Sequence, residues 1–230
     1  LSLLDRCAGL FRQAKITTII VVTGHRHLEV EAVAERLDLH CVHNPDHARG
    51  MYSSIQIAVR CLPKVDGFFL LPVDIPLIRP ATVAALAASF DGRKAIIPHF
   101  NGTPGHPPLL PACLASAILA HNDQGGLQGL LQSRSPQQVM ALPVWDRGIL
   151  LDADTPEDFT TLNHRLDRMA VGERDEALAL AGMALPSKGL AHGMADAGVA
   201  EKLALALNCR GNALDLDLLH NSALLHDIAK

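Results

Sequence analysis

The sequence predicts an α/β fold, with a mostly parallel sheet that carries helices on both faces, followed by a small all-α segment. Strand-like and helix-like patterns alternate from the first residues to about residue 169. Two strand-like runs, Ile16–Val22 and Gly67–Val73, are uncharged and largely apolar, which is typical of parallel strands buried on both faces. After Ala170 only helical spacing remains, so we expect a domain boundary near Val171 and Gly172.

Helix and strand patterns follow each other closely through the first ninety residues. Apolar residues at positions 3, 4, 7, 8, 10, 11 and 14 have the period of a helix, and Asn44-Pro45 is a turn signal that ends a strand. The predicted helices are Leu1–Ala14, Leu28–Leu37, a helix that ends at Cys61, and Thr82–Phe90. The predicted strands are Ile16–Val22, Leu39–His43 and Gly67–Val73, of which the last is expected in the middle of the sheet.

The pattern continues with shorter elements up to the boundary. The predicted strands are Lys94–Pro98, Val139–Val144 and Gly148–Leu151. The segment Thr103–Leu110 is too rich in proline and glycine for a regular element and is expected to be a shaped loop. Thr155 is a good N-cap for a helix to about Met169, because Pro156 occupies its first position and acidic residues fill its first turn.

Composition excludes several classes of protein. Hydrophobic residues make up 49% and charged residues 19%, which is a globular composition. A net charge of -4 and only 3% aromatic residues argue against a nucleic-acid partner. The five scattered cysteines indicate neither a disulfide framework nor a zinc ribbon, and there is no long apolar run and no signal sequence, so we expect a cytoplasmic protein without a membrane partner.

Three aspartates follow predicted strands. Asp74 stands between two prolines directly after the central strand, and Asp152 and Asp154 follow the strand that ends at Leu151. Ligands collect at the carboxyl ends of parallel strands, and grouped carboxylates there suit a hard cation such as Mg²⁺. The alternative is a structural role in loops or helix caps, although Asp74 lies too far before the helix near Thr82 to be its N-cap.

Glycine, serine and histidine form further candidate sites in loops. Gly50-Met51 with Ser53 and Ser54 follows Asn44-Pro45, and exposed backbone N–H groups at such a helix start can bind a phosphate or a base edge. The alternative is a plain glycine turn with serine capping. In Gly105-His106-Pro107-Pro108 the prolines fix a histidine that could donate to an anionic substrate or satisfy loop carbonyls.

The C-terminal segment contains a possible metal site. His192 precedes His226-Asp227 by some thirty residues, and all three lie in helical patterns. Imidazole and carboxylate together suit a transition metal, or Mg²⁺ with waters, lodged between helices.

Residues 1 to about 168 resemble the nucleotidyltransferases of molybdenum cofactor maturation, closest to the molybdopterin cytidylyltransferase branch. The resemblance rests on six motifs in the right order: Ile-Val-Val-Thr-Gly-His25, Asn44-Pro with Gly-Met-Tyr-Ser-Ser54, Leu-Pro-Val-Asp-Ile-Pro76, Gly-His-Pro-Pro108, Asp123-Gln-Gly-Gly-Leu-Gln-Gly-Leu-Leu131, and Leu-Asp-Ala-Asp-Thr-Pro-Glu-Asp158. It implies a Rossmann-like fold of the nucleotide-diphospho-sugar transferase type, with Mg²⁺ on Asp74 and on Asp152 or Asp154.

The same resemblance implies roles for the loop residues. Thr23, Gly24, Asn44, Gly50, Met51 and Ser54 would line the nucleotide pocket, and His106 and Pro107 would face the substrate. The family opens with a strand and a glycine-rich loop that binds the triphosphate, and Leu1 corresponds to a point after that loop. Residues 172–230 resemble the start of an HD-type phosphohydrolase domain, with His192, His226 and Asp227 as metal ligands. A fusion cut at both ends is therefore expected, with domains at 1–170 and 171–230.

The expected activity is transfer of CMP from CTP to molybdopterin with release of pyrophosphate. A molybdenum enzyme is a candidate protein partner. Three alternatives stay open. The first is guanylyl or other NTP transfer to a different phosphate acceptor. The second is metal-dependent phosphohydrolysis by the HD segment, with the first domain recognising a nucleotide. The third is a non-catalytic sensor or scaffold for a molybdenum enzyme.

Overall fold

The structure, a computed structural model, describes residues 2–228, and this range contains ten α-helices and seven strands. The helices are α1 (Leu3–Gln13), α2 (His27–Arg36), α3 (Met51–Arg60), α4 (Pro80–Ala88), α5 (Ala115–Ala120), α6 (Gly126–Gln132), α7 (Pro156–Asp167), α8 (Arg174–Ala184), α9 (Ser187–Asn208) and α10 (Leu216–Leu225). The strands are β1 (Ile20–Thr23), β2 (His40–His43), β3 (Gly67–Phe69), β4 (Ala95–Phe100), β5 (Thr103–Pro104), β6 (Leu109–Pro111) and β7 (Val139–Pro143).

The strands form two small sheets. β1 and β2 pair in parallel, with Ile20 opposite His40 and Thr23 opposite His43. The second sheet has the order β3-β6-β4-β5, with β7 also paired to β4. β6 runs antiparallel to both β3 and β4. The predicted mostly parallel sheet is therefore confirmed only for the first pair of strands.

The strand predicted at Gly67–Val73 is shorter than expected and does not lie in the middle of the sheet. β3 ends at Phe69 and stands at the end of the strand order in the described part of the chain, so the expectation of a mid-sheet strand is wrong. The backbone after Leu70 has no regular hydrogen-bond ladder, because Pro72 and Pro76 have no N–H to donate. Asp74 consequently lies in an irregular segment and not directly at a strand end.

Two further expectations are wrong in the middle of the chain. The segment Thr103–Leu110 includes β5 and the start of β6, because Leu109 and Leu110 are buried and pair with β3. The predicted strand Gly148–Leu151 is instead a 3₁₀ turn at Arg147–Leu150. A four-residue apolar run does not distinguish a strand from a buried turn.

The chain divides into two compact units. Unit 1 contains residues up to 99, 103–142 and 148–152; unit 2 contains residues 100–102, 143–147 and those from 153 onward. Helix α7 belongs to unit 2, where the guanidinium of Arg165 pairs with Glu173 and Glu176. These divisions differ from the boundary expected near residues 171 and 172, and the assignment of 1–170 and 171–230 to two family domains stays a prediction.

Each unit has its own apolar core. In unit 1 the second sheet packs against helices. Phe68, Ala95 and Leu110 of its strands and Ile118 of α5 are all buried in this core. In unit 2 small residues allow helices to pack closely. Its core residues are Ala177, Ala181, Ala197 and Leu224. The all-helical pattern predicted after residue 170 is confirmed by α8, α9 and α10.

None of the helices within residues 2–228 combines the length and the apolar character needed to cross a membrane.

Candidate functional sites

Asp74 lies in a tight turn after β3, where Ile75 N donates to Pro72 O at 3.3 Å. Its side chain is half-buried, and Oδ1 is fully shielded from solvent without a hydrogen-bond partner among the described residues. A buried anionic oxygen that lacks a donor is costly unless a cation satisfies it. Asp74 is therefore a residue on which a divalent ion fits.

A buried thiol lies next to this aspartate. Cys7 of α1 donates from Sγ to Val73 O at 3.6 Å. Burial, and to a smaller degree the Asp74 carboxylate, raises the pKa of Cys7 to about 12. The thiol is consequently neutral at physiological pH and adds no negative charge beside Asp74.

His106 is the second polar group close to Asp74. Burial lowers the pKa of His106 below its ordinary value, although the Asp74 carboxylate and a backbone hydrogen bond with Leu70 act in the opposite direction. Its Nδ1 is buried and has no hydrogen-bond partner among residues 2–228. The imidazole is therefore uncharged at neutral pH, and it can offer a hydrogen bond but not a full positive charge to an anion.

The loop that carries His106 also contacts the segment before Asp152. His106 N donates to Ile149 O at 3.0 Å, and Gly105 N donates to Pro98 O at 2.9 Å. A Cβ at Gly105 would lie 2.5 Å from Ile149 O, so only glycine permits this approach. The loop is thereby held between β4 and the 3₁₀ turn at Arg147–Leu150.

Asp152 and Asp154 are both exposed, and the structure assigns them to different units. Asp152 belongs to unit 1, three residues after Ile149, whereas Asp154 belongs to unit 2. The cap of α7 is formed by Thr155 and Asp158, whose side chains each accept from the other's backbone N–H. A capping role therefore does not account for Asp152 or Asp154.

Asn44 is the centre of the predicted nucleotide segment. Its side chain is fully buried, and its Nδ2 donates to Ser53 Oγ and Ser54 Oγ, each at 2.9 Å. Asn44 N donates to Thr23 O at 2.8 Å. Asn44 thus joins the ends of β1 and β2 to the start of α3 through its backbone N–H and its side-chain amide, which makes it a positioning residue.

The remaining residues of this segment are arranged around Asn44. Gly50 precedes α3 with φ +102°, a conformation that favours glycine, and its carbonyl accepts from Ser53 Oγ at 2.8 Å. Met51 is 62% exposed at the first position of α3. Gly24 lies against the side chain of His47, whose Nδ1 is 3.3 Å from Asn44 O. The structure therefore brings all six predicted nucleotide residues to one region of unit 1.

In unit 2 the three predicted metal ligands come together. One ligand atom from each of His192, His226 and Asp227 lies within 4.8 Å of the others. The imidazole rings of His192 and His226 have their centroids 5.4 Å apart. Sequence reasoning missed Asp196, whose Oδ2 is 3.3 Å from His192 Nε2 and 3.8 Å from His226 Nε2. Its position four residues after His192 on a helix was the available signal.

A second cluster of this kind in unit 1 was also missed. It consists of His27, Glu31 and His43, whose ligand atoms lie within 4.8 Å of one another. Nothing in the linear sequence joins His43 to the other two, because β2 and α2 meet only after folding.

Comparison with known proteins identifies a family for the N-terminal part of the chain. Residues 1–139 match the family described as MobA-like NTP transferase domain. The molybdenum cofactor cytidylyltransferase of Escherichia coli is 34% identical over 149 residues, which cover 64% of this chain and 74% of that protein.

Solved structures with the same fold include two further proteins. Rv0371c from Mycobacterium tuberculosis aligns with a TM-score of 0.61 and 25% identity, covering 70% of this chain and 82% of its own. The nucleotidyl transferase Mth528 from Methanothermobacter aligns with a TM-score of 0.65 and 21% identity, covering 74% and 82%. Both alignments show that the chain shares the α/β fold of these proteins.

Proposed function

The chain belongs to the MobA-like NTP transferase family, and from that membership we propose that it transfers CMP from CTP to molybdopterin with release of pyrophosphate. A nucleotidyltransferase activity follows from the family. The choice of CTP and molybdopterin is supported by the 34% identity to a molybdenum cofactor cytidylyltransferase. The alternative within the same fold is guanylyl or other NTP transfer to a different phosphate acceptor.

The observation that carries the catalytic proposal is the buried Oδ1 of Asp74, which has no hydrogen-bond partner in the described part of the chain. Carboxylate oxygen is the donor that Mg²⁺ prefers, so the residue fits the ion that phosphoryl transfer requires. We assign Asp152 as the second ligand, since it shares unit 1 with Asp74, and Asp154 as the alternative. When bound, Mg²⁺ would neutralise charge on the triphosphate.

The chain's own residues would position the substrates. The side-chain amide of Asn44 donates to the hydroxyls of Ser53 and Ser54, so Asn44 fixes the loop. Contacts to the nucleotide would then be made by the backbone around Gly50 and Met51. Backbone N–H groups at the start of a helix such as α3 favour an anionic or base-edge acceptor. The uncharged imidazole of His106, together with Pro107, would contact the acceptor substrate beside Asp74.

Nucleotide choice separates this proposal from its nearest alternative. With molybdopterin and Mg²⁺, we expect the full-length protein to use CTP about 100-fold more efficiently than GTP, which corresponds to the upper part of the roughly 1–3 kcal/mol that one bidentate contact to a base edge contributes to discrimination. Pyrophosphate release measured with each nucleotide gives the ratio of the two kcat/KM values. A ratio in favour of GTP would replace cytidylyl by guanylyl transfer, and absence of turnover with bound CTP would favour a sensor role.

A second activity is favoured by the cluster in unit 2. His192, His226 and Asp227, with Asp196 beside them, offer two imidazoles and two carboxylates to a divalent metal. This donor set supports the hypothesis that the C-terminal segment is part of an HD-type phosphohydrolase domain.

Substitution of His226 tests this second activity. We expect His226→Ala to abolish metal-dependent release of phosphate from nucleotides, because the variant removes one of two imidazole donors, while CMP transfer continues. His164→Ala is the matched control, since His164 is exposed on α7 and lies outside the cluster. Phosphate release that is equal in wild type and His226→Ala would remove the hydrolase from consideration.

A further inference from the structure

We propose that His27, Glu31 and His43 form a binding site for a transition-metal ion of the Zn²⁺ type, separate from Asp74 and from the cluster in unit 2. One ligand atom of each residue lies within 4.8 Å of the other two. His27 and Glu31 are four residues apart on α2 and therefore share one helix face. His43 ends β2 and faces them, with its ring centroid 4.1 Å from that of His27.

The three side chains have unused ligand atoms. The imidazole side chains of His27 and His43 have no hydrogen-bond partner among residues 2–228. Each imidazole therefore has a ring nitrogen available to a metal ion, and the two rings lie close together at an interplanar angle of 39°.

Glu31 is oriented by a residue that does not bind the metal. Thr23 Oγ1 donates to Glu31 Oε1 at 2.9 Å, and Thr23 itself is buried. Metal-binding carboxylates are usually fixed in this way by an outer hydrogen bond. The bond leaves Oε2 for an ion and ties the site to the end of β1.

The donor set identifies the class of ion. Two imidazoles and one carboxylate form a three-ligand set with an open position for water or a further ligand, which suits Zn²⁺ and its substitute Co²⁺ better than Mg²⁺. Ligands about 2.1 Å from a tetrahedral ion are roughly 3.4 Å apart, so small side-chain rotations suffice to close the site. Glu31 and His43 also line a groove of about 670 Å³ beside α2 and β2.

The position of the site gives it a structural consequence. His43 directly precedes Asn44, and the carbonyl of Thr23 accepts from Asn44 N. An ion that joins α2 to the end of β2 would therefore stabilise the loop in which Asn44 holds the start of α3.

The test is metal binding to variants in a His226→Ala background, which removes the competing cluster. We expect the background protein to bind one Zn²⁺ tightly, and Co²⁺ to give the visible absorption of tetrahedral ligation. His43→Ala and Glu31→Gln should each weaken Zn²⁺ affinity by about 100-fold or more, and Thr23→Val by about tenfold with recovery in Thr23→Ser. His40→Ala is the matched control, since His40 is exposed on the opposite face of β2.

The outcomes separate clearly. The site is supported if the metal-free variants have the same midpoint temperature of thermal unfolding and the Co²⁺ spectrum is lost only in His43→Ala and Glu31→Gln. Absence of saturable Zn²⁺ binding in the background protein overturns it, as does binding that His43→Ala and Glu31→Gln leave unchanged. No nucleotide enters the experiment, so its result is independent of the proposed transferase activity.

Discussion

Asp74→Asn is expected to lower kcat/KM for CMP transfer by about 10³-fold, which corresponds to about 4 kcal/mol of transition-state stabilisation. Asparagine keeps the shape of the side chain but removes the charge that would hold Mg²⁺ against the triphosphate. Oδ1 is buried and accepts no hydrogen bond in the described part of the chain, so the fold loses no such bond at that atom. We therefore expect the free energy of unfolding to stay within about 1 kcal/mol of wild type, or to rise.

The same variant has a second readout. Because the Asp74 carboxylate raises the pKa of both Cys7 and His106, both values should fall in Asp74→Asn. Asp66→Asn is the matched control, since Asp66 is exposed at the other end of β3 and should leave transfer unchanged. Asp152→Asn and Asp154→Asn identify the second acid in the same assay. Undiminished transfer by Asp74→Asn with Mg²⁺ present would contradict the assignment.

Elements whose structure depends on residues close together in the sequence could be predicted from the sequence. The N-terminus of α7 was predicted from Thr155 and Pro156, and the structure has the capping box of Thr155 and Asp158. Such a cap is built from residues three positions apart, so the sequence contains all of its information. The parallel pair β1 and β2 was recognisable for a similar reason, because apolar runs on both sides of α2 define one βαβ unit.

Pairing between distant strands was the part that could not be predicted. β3, at Gly67–Phe69, pairs antiparallel with β6, which lies in a segment that its prolines suggested to be a loop. The 3₁₀ turn at Arg147–Leu150 similarly presents Ile149 O to His106 N, and within residues 2–228 it belongs to no strand ladder. In both cases tertiary partners decide the structure of a short apolar run.

The candidate sites divide in the same way. His192, His226 and Asp227 were found by their motif, and the structure brings them together. Cys7 was not expected beside Asp74, because 67 positions separate them and only packing of α1 brings the thiol there. Chemistry-bearing residue types can be read from the sequence, but the approach of α1 to the irregular segment at Val73 and Asp74 cannot.

Glu176→Ala should be the most destabilising single substitution in unit 2, with a loss of about 3–5 kcal/mol, the usual cost of removing one partner from a buried ion pair. Glu176 is 1% exposed, and its carboxylate accepts from Arg147 N at 3.0 Å and from Arg165 Nη2. It also accepts from Glu173 N at 3.2 Å, which caps α8. The variant leaves the buried Arg165 with a weaker set of partners. Urea unfolding followed by fluorescence of the single tryptophan, Trp145, measures the loss, since Trp145 lies in unit 2.

Asp175→Asn is the matched control for this prediction. Asp175 is the neighbouring residue and pairs with Arg147 at 3.3 Å, but the two side chains are 39% and 45% exposed, so its loss should cost less than about 1 kcal/mol. The double variant Arg165→Met with Glu176→Leu should be more stable than Glu176→Ala, because it removes both charges and fills their space with apolar atoms. If the double variant were instead the less stable of the two, direct attraction within the pair would outweigh the cost of burying it, and the stability of α7 against α8 would depend on that attraction.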